Sequence, residues 1–230
     1  MTEGVRKYFK FRLIQIVSIF LFFFIVLLNG CSGSSNTVAP DLPIDGYDLL
    51  VPGCILRWDK NYFPVKIYIE SAPAEMSDEG ADLSIIDNAM IKAADIWDGI
   101  DPDIPNAFDY VADENSADFS VRWIPMLPDH AGTAGMCIIE GSKARSITRI
   151  EIYWDYIYGS RSLKIWSGIF SSVLAHELGH ALGLGHSTQI GDMMYEANQG
   201  ANVEISDRDS EMLIWLYNQE NYWPIVPPKP

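Results

Sequence analysis

The stretch AHELGHALGLGHSTQIGDMMY, from Ala175 to Tyr195, contains three of the four histidines of this 230-residue chain. His176 and His180 are four residues apart, so on a helix both imidazoles project from one face, one turn apart. Two nitrogens placed in this way can converge on a single Zn²⁺, and the carboxylate of the intervening Glu177 can reach the reacting water without binding the metal. The spacing therefore predicts a helix that carries a metal site, rather than a buried helix with core histidines.

Glycines interrupt this segment at positions where a helix would otherwise continue. Gly179 and Gly183 each cost about 1 kcal/mol relative to alanine inside a helix. Gly183 can adopt a left-handed conformation and end the helix three residues after His180. The chain can then turn back, which brings His186 to the metal as a third ligand. Three protein nitrogens leave the fourth tetrahedral position open, as in a catalytic rather than a structural zinc site.

Two motifs in this stretch resemble those of the metzincin metallopeptidases: HELGHALGLGH, and DMMY, which matches the methionine-containing turn beneath the zinc. The extended pattern HExxHxxGxxH is far more specific than HExxH alone. Ser187, directly after the third histidine, and Tyr195, directly after Met194, make the stretch most similar to the matrixins, the family of the matrix metalloproteinases. Upstream, RWDKNYFPVKIYI and IIDNAMIKAADIW look like the first strand and the first helix of that family.

The resemblance implies a role for each motif residue. Zinc is bound by His176, His180 and His186, the general base and acid is Glu177, and the floor of the Met-turn is Met194, with the preceding Met193 as the alternative. It also implies an extended substrate that pairs with an exposed sheet edge, for which residues 131–139 are the candidate segment.

The implied function is that of a zinc-dependent endopeptidase, which hydrolyses peptide bonds of extracytoplasmic proteins or peptides through a zinc-activated water. Two alternatives stay open. One is a non-catalytic surface binding or adhesion module that keeps zinc for stability, and the other is a zinc hydrolase of cell-wall peptide crosslinks. Substrate choice would depend on the motif helix and on the loop at residues 196–206, whose conformation the sequence does not specify.

The chain also departs from the animal matrixins. They hold a second, structural zinc with further histidines, whereas outside the motif this chain has only His130, so we expect one catalytic zinc and an ordinary loop histidine. Calcium binding would suit so acidic a domain, but no ligand spacing identifies a calcium site. The cysteine switch PRCGxPD is absent, and a carboxylate of Asp41, Asp45 or Asp48 could cover the zinc instead.

Periodicity outside the motif predicts an α/β (α+β) domain with one mixed sheet. Alternating apolar residues predict strands within residues 65–70, 117–125 and 148–154. Apolar stripes at helical spacing predict helices over residues 82–97, 167–182 and 205–217. Ser206 is a suitable N-cap for the last helix, with Asp209 three residues further on. The resemblance implies a metzincin-like arrangement of these elements, with a twisted mixed sheet, two long helices including the active-site helix, the Met-turn and a C-terminal helix.

Charge is unevenly distributed along the chain. Residues 1–30 carry four basic residues and one acidic residue, a formal charge of +3. Since the whole chain carries −15, residues 31–230 carry −18. So acidic a body repels phosphate backbones, which argues against nucleic-acid binding. The hydrophobic content of 48% is ample for the core of one domain. We expect a monomer whose partners are a protein or peptide substrate and, through its N-terminus, a membrane.

The N-terminus has the pattern of an export signal, with a basic segment followed by an apolar run over residues 13–28. Leu28-Asn29-Gly30-Cys31 resembles the lipobox of bacterial lipoproteins, which implies that Cys31 is lipidated; the alternative is an uncleaved anchor helix. The predicted organisation is a signal peptide at 1–30, a flexible tether at 31–49 and a peptidase domain at 50–230. We expect an extracytoplasmic domain anchored to a bacterial membrane, at the outer membrane or the cell surface.

Cys54 and Cys137 are the remaining cysteines. In an oxidising compartment two thiols predict one disulfide that closes a long loop. The alternative is two separate buried thiols, because the sequence does not supply the geometry that a disulfide requires.

Overall fold

The computed structural model describes residues 41–76, 82–125, 134–141, 145–154, 163–197, 199–201 and 204–227. Within these ranges the α-helices are α1 (Ser84–Asp95), α2 (Leu163–Ala181) and α3 (Asp207–Tyr217). The strands are β1 (Tyr47–Leu49), β2 (Leu56–Trp58), β3 (Val65–Ile69), β4 (Phe108–Tyr110), β5 (Phe119–Pro125), β6 (Gly135–Glu140), β7 (Ser146–Trp154), β8 (Leu184–Ser187) and β9 (Trp223–Ile225). The predicted signal peptide, Cys31 and His130 lie outside the described residues. No helix within the described ranges is both long and apolar enough to cross a membrane.

The main sheet has five strands in the order β4–β3–β5–β7–β6. The first four run parallel to one another, and β6 is antiparallel to β7 at the edge of the sheet. The alternation in the sequence matches the pleat, since Val65, Ile67 and Ile69 of β3 are buried. The predicted mixed α/β architecture is confirmed, and the segment expected to supply a sheet edge contains most of β6.

The motif helix α2 runs through the core of the domain. It packs against α1 and against strands β6 and β7. Ile86 and Met90 of α1, and Leu174 and Leu178 of α2, are fully or almost fully buried. Because α2 is covered on most sides, the polar groups of its motif lie in apolar surroundings, where each needs a hydrogen-bond partner or a ligand.

The C-terminal end of α2 is held by side chains from distant parts of the chain. The indole of Trp58 donates to the carbonyl of Ala181 at 2.9 Å, and the hydroxyl of Tyr217 donates to the carbonyl of Leu182 at 3.0 Å. These bonds satisfy carbonyls that have no partner within the helix. Gly183 then adopts a φ of +103°, and a Cβ at this position would lie 1.9 Å from the carbonyl oxygen of Leu56. The predicted helix end at Gly183 is confirmed.

Two small sheets attach the ends of the domain to its centre. Strand β1 pairs antiparallel with β8, and β2 pairs parallel with β9. Ile44 and Tyr47 are buried, and Tyr47 is opposite Ser187 in the β1–β8 pair. The tether predicted to extend to residue 49 is therefore too long, because residues 44–49 pack as part of the domain. Pairing of a short segment with a strand so far along the chain leaves no local signal in the sequence.

The predicted disulfide between Cys54 and Cys137 is wrong. Cys137 is a free thiol buried in β6, so it forms no disulfide with Cys54. The thiol of Cys137 lies within electrostatic reach of Glu177 on α2, and burial is the main factor that raises its pKa well above the usual value. The cysteine count suggested a pair, but the position of each thiol depends on the fold.

Candidate metal centre and active site

Three histidine side chains converge at the end of α2. His176 and His180 belong to α2, His186 belongs to β8, and one ring nitrogen from each lies within 4.8 Å of the other two. The Nε2 atoms of His180 and His186 are 3.1 Å apart. Two nitrogens that bind zinc at about 2.0–2.1 Å in tetrahedral geometry lie about 3.3 Å from each other. The predicted ligands are thus brought together at a spacing that fits a zinc ion.

Backbone carbonyls fix the orientation of the two helical ligands. The Nδ1 atom of His176 is 2.8 Å from the carbonyl oxygen of Met193, and the Nδ1 atom of His180 is 2.8 Å from that of Leu184. A carbonyl oxygen only accepts, so each Nδ1 must carry the proton and donate it. The Nε2 atom of each ring then presents a lone pair, which is the tautomer required for zinc binding.

Burial keeps the three imidazoles neutral. It lowers the pKa of His176 to about 3, with a further contribution from His186, and it lowers the pKa of His180 well below its usual value. Burial also lowers the pKa of His186, although the nearby carboxylates of Glu196 and Asp48 oppose this effect. Neutral imidazoles are the form that binds a metal, so the site is prepared for a cation at neutral pH.

Glu177 lies between α2 and the edge strand β6. Its side chain is 1% exposed, and burial raises its pKa to about 8, although a hydrogen bond from the backbone N–H of Cys137 opposes this effect. A Cβ added to Gly135 would lie 2.9 Å from Oε1 of Glu177. The backbone of β6 therefore passes directly over this carboxylate, in contact with the group that the motif predicts to be the general base. A cation held by the histidines would favour the ionised carboxylate.

The two adjacent methionines have different roles. The sulfur of Met194 lies where a Cβ of Gly179 would be, only 2.3 Å from that position, so Met194 packs directly on the motif helix beside His180. Met193 contributes its backbone carbonyl to His176. The structure thus places Met194 in the position expected for the floor of the Met-turn. It also explains Gly179, since a larger residue there would collide with Met194.

Two buried aspartates, Asp192 and Asp209, hold the segment that follows β8, and the sequence did not predict this role for either. Asp209 accepts hydrogen bonds from the backbone N–H groups of Met193 and Met194 at 2.7 and 3.2 Å. Asp192 accepts from the hydroxyl of Ser187 and from Nε of Arg208. The sequence identified Asp209 only as the partner of Ser206 at the helix N-terminus, a capping box that the structure confirms. No residue pattern indicated that the same carboxylate reaches the Met-turn.

Acidic residues surround the site without joining it. Among the described residues, the group of side chains that could hold a metal consists of the three histidines alone. Asp41, Asp45 and Asp48 are exposed, and none of their carboxylates belongs to this group. In the described part of the chain no carboxylate joins the three histidines as a ligand, although Asp48 lies close enough to His186 to affect its pKa, and no cluster of acidic side chains is arranged for calcium.

This geometry defines the class of protein. Three neutral imidazoles that present Nε2 to one point are the ligand set of a catalytic zinc site. The adjacent buried carboxylate is placed to exchange a proton with a reacting water. A zinc-dependent hydrolase is the class that combines the two.

Comparison with known proteins shows which family of zinc hydrolases the chain resembles. The family model described as Peptidase_M10, Matrixin, matches residues 142–218, which include all three histidines, Glu177 and both methionines. The interstitial collagenase of Oryctolagus cuniculus is 26% identical over 183 residues, which are 76% of this chain and 36% of the collagenase. The chain thus spans little more than a third of that relative's length. Residues 142–218 are thus similar to a matrixin domain, and both matches support a matrixin-like zinc metallopeptidase, in agreement with the resemblance of the motifs.

Proposed function

We propose that this chain is an endopeptidase that hydrolyses peptide bonds of extracytoplasmic proteins or peptides. The observation that carries the proposal is the position of Glu177, which lies beside the three converging histidines and directly under the edge strand β6. A site that used zinc only for stability would gain nothing from a buried carboxylate at this point, because burial of such a group is costly.

The substrate chain is placed by the edge of the sheet. Strand β6 is the last strand in the order of the five-stranded sheet, so an extended peptide can add to it through main-chain hydrogen bonds. Pairing of this kind accepts many sequences, and it holds the scissile amide near Glu177. Side-chain preference then depends on α2 and on the loop at residues 196–206.

Proton transfer is the task of Glu177. Zinc held by the three histidines supplies Lewis-acid polarisation of the scissile carbonyl and makes water more acidic. The carboxylate of Glu177 removes a proton from the attacking water, and the protonated form returns it to the nitrogen of the leaving amine. One water is consumed, the C–N bond breaks, and the products are a carboxyl group and an amine. The apolar surroundings that raise the pKa of Glu177 favour the first transfer, because a carboxylate with a higher pKa is a stronger base.

The test compares the wild-type chain with Glu177→Ala on a proteome-derived peptide library and, in parallel, on purified peptidoglycan. We expect wild type to cleave library peptides, and Glu177→Ala to bind zinc in the same stoichiometry but to release no new N-termini. Release of crosslink fragments from peptidoglycan, without cleavage of the library, would favour the cell-wall hydrolase. If wild type, loaded with zinc, cleaves neither substrate, the non-catalytic binding module becomes the better account.

We further propose that the domain acts as a monomer outside the cytoplasmic membrane, anchored to a bacterial membrane through lipidated Cys31. The support is the basic and apolar pattern of residues 1–30 and the lipobox-like Leu28-Asn29-Gly30-Cys31. Metabolic labelling with an alkyne fatty acid should tag the wild-type chain, and Cys31→Ser should abolish the label. A mature chain whose intact mass still includes residues 1–30 would instead identify an uncleaved anchor helix.

A further inference from the structure

Tyr47 is connected to His176 of the metal centre by a path of hydrogen bonds. Its hydroxyl donates to Oδ1 of Asp209, and this contact joins residues 162 positions apart in the sequence. The same carboxylate accepts the N–H groups of Met193 and Met194, and the carbonyl of Met193 accepts the Nδ1 proton of His176. Each group on this path is buried, so the hydrogen bonds do not compete with solvent.

The buried carboxylate of Asp209 is stabilised by neutral hydrogen-bond donors. Asp209 is fully buried, and its carboxylate accepts hydrogen bonds from Tyr47 and from the backbone N–H groups of Met193, Met194 and Ser206. The nearby guanidinium of Arg208 instead donates to Asp192. The side-chain hydroxyls of Tyr47 and Ser206 are therefore the donors that a substitution can remove, and only that of Tyr47 comes from outside the C-terminal part of the chain.

The segment around Tyr47 is attached at several points. Arg208 donates to the carbonyl of Asp45 at 2.7 Å, and the backbone N–H of Thr188 donates to the carbonyl of Gly46 at 2.8 Å. Burial and the neighbouring Asp209 raise the pKa of Tyr47, so its phenol stays protonated and acts only as a donor towards the carboxylate. Tyr47 also lies outside residues 142–218, the part of the chain that the matrixin family model matches.

We propose that Tyr47 is a positioning residue of the metal centre, which fixes the Met-turn through Asp209 and thereby the imidazole of His176. Residues 44–49 are then a working part of the site rather than the end of a tether. The inference rests on the zinc centre of the proposed peptidase, but it concerns metal binding and can be tested without a substrate.

The test is Tyr47→Phe in the full chain, because this change removes one hydroxyl and keeps the ring. Tyr62→Phe is the matched control, since Tyr62 also donates its phenol to an aspartate, Asp118, at 2.6 Å, but belongs to no path to the histidines. Zinc affinity is measured by competition with a chromophoric chelator, and ligand geometry by the visible absorption of the Co²⁺-substituted protein.

We expect Tyr47→Phe to weaken zinc binding by roughly tenfold, the lower end of the range found when groups that support metal ligands are altered. The Co²⁺ absorption should change in Tyr47→Phe and stay as in wild type in Tyr62→Phe. With zinc saturating, kcat should fall while KM is retained. Zinc affinity and Co²⁺ absorption indistinguishable from wild type in a folded Tyr47→Phe chain would overturn the proposal.

If Tyr47→Phe does not fold, Arg208→Lys takes its place. It keeps a cation for Asp192 and removes the separate N–H donor to the carbonyl of Asp45, so it loosens the segment around Tyr47 while Asp209 keeps its backbone donors. Weaker zinc binding in a folded Arg208→Lys chain supports the proposal, and unchanged binding overturns it. A chain whose zinc affinity responds as expected but which cleaves no peptide would refute the proposed peptidase function and leave the role of Tyr47 intact.

Discussion

The metal centre consists of two halves that are held in place by different forces. The helix backbone that carries His176, Glu177 and His180 is positioned by apolar packing, with the indole of Trp97 bonded to the carbonyl of Ala175 at 2.9 Å. In the segment after Gly183, the third ligand and the Met-turn are positioned by a network of buried polar groups. The helical half therefore depends on volume and periodicity, whereas the returning half depends on individual hydrogen bonds.

The difference shows which substitutions each half tolerates. An apolar core accepts changes that conserve volume at a modest cost. A buried carboxylate that holds several N–H groups has no such substitute, because its loss leaves those donors unsatisfied. The four predictions below probe this contrast, from the largest expected effect to the smallest.

Asp209→Ala should produce the largest loss in the returning half. It leaves the N–H groups of Met193 and Met194 without their acceptor, and we expect the free energy of unfolding to fall by about 3–5 kcal/mol. Chemical denaturation measures this value. Asp207→Ala is the matched control, since Asp207 is exposed in the same first turn of α3 and should cost only about 0.3–1 kcal/mol through the helix dipole. Equal losses in the two variants would contradict the special role of Asp209.

Gly135→Ala should lower activity without loss of metal. The added Cβ would lie 2.6 Å from Cγ1 of Val173 and 2.9 Å from Oε1 of Glu177, so either β6 or the carboxylate must move. A displacement of about 1 Å at the reacting groups can cost about 10²-fold in rate. We expect kcat to fall by about that factor while zinc affinity stays as in wild type. Unchanged kcat would show that Glu177 does not need its contact with β6.

Gly179→Ala tests the point where the two halves touch. Helix propensity alone would make alanine more stable by about 1 kcal/mol, but the new Cβ would collide with Met194 and Trp97. We expect a net destabilisation of about 1–2 kcal/mol from overpacking, measured by thermal unfolding. Combining it with Met194→Ala should cost less than the sum of the two single changes, because the smaller side chain relieves the collision. Strict additivity would place the two residues out of contact.

The thiol of Cys137 should not react with an alkylating reagent in the folded protein. Alkylation requires the thiolate, and burial raises the pKa of this thiol, so at pH 8 it remains a protonated, inaccessible thiol. Peptide mapping should find Cys137 alkylated only after unfolding. Alkylation of Cys137 under native conditions would show that β6 separates from α2, which would weaken the case for a fixed Glu177.

The same contrast explains how much of the molecule the sequence predicted. The ligands of α2 follow from a four-residue spacing and the helix end from Gly183, both of which are local properties of the chain. The strands β3, β5 and β7 follow from alternation that the pleat imposes. The third ligand, His186, was predicted from the glycine turn and from the family resemblance, and the structure brings it to the other two.

What the sequence did not reveal depends on contacts between distant residues. The roles of Asp209 and Tyr47 require a side chain of α3 and a strand near residue 47 to meet at the Met-turn, and no local pattern encodes that meeting. The cysteine pairing failed for the same reason, since the fold leaves Cys137 as a free thiol close to Glu177 of α2. The tether boundary failed because residues 44–49 have too little apolar periodicity to show that they are packed.

The contact between Tyr47 and Asp209, which spans 162 residues, also has a consequence for the order of assembly. Contacts that close such long loops carry a large entropic cost and generally form late in folding. A chain that has made only α2 holds two ligands and the base, but nothing yet fixes the turn that completes the centre. We therefore expect hydrolytic competence to appear only when both ends of the domain have docked, so that a partly folded chain cannot cleave neighbouring proteins.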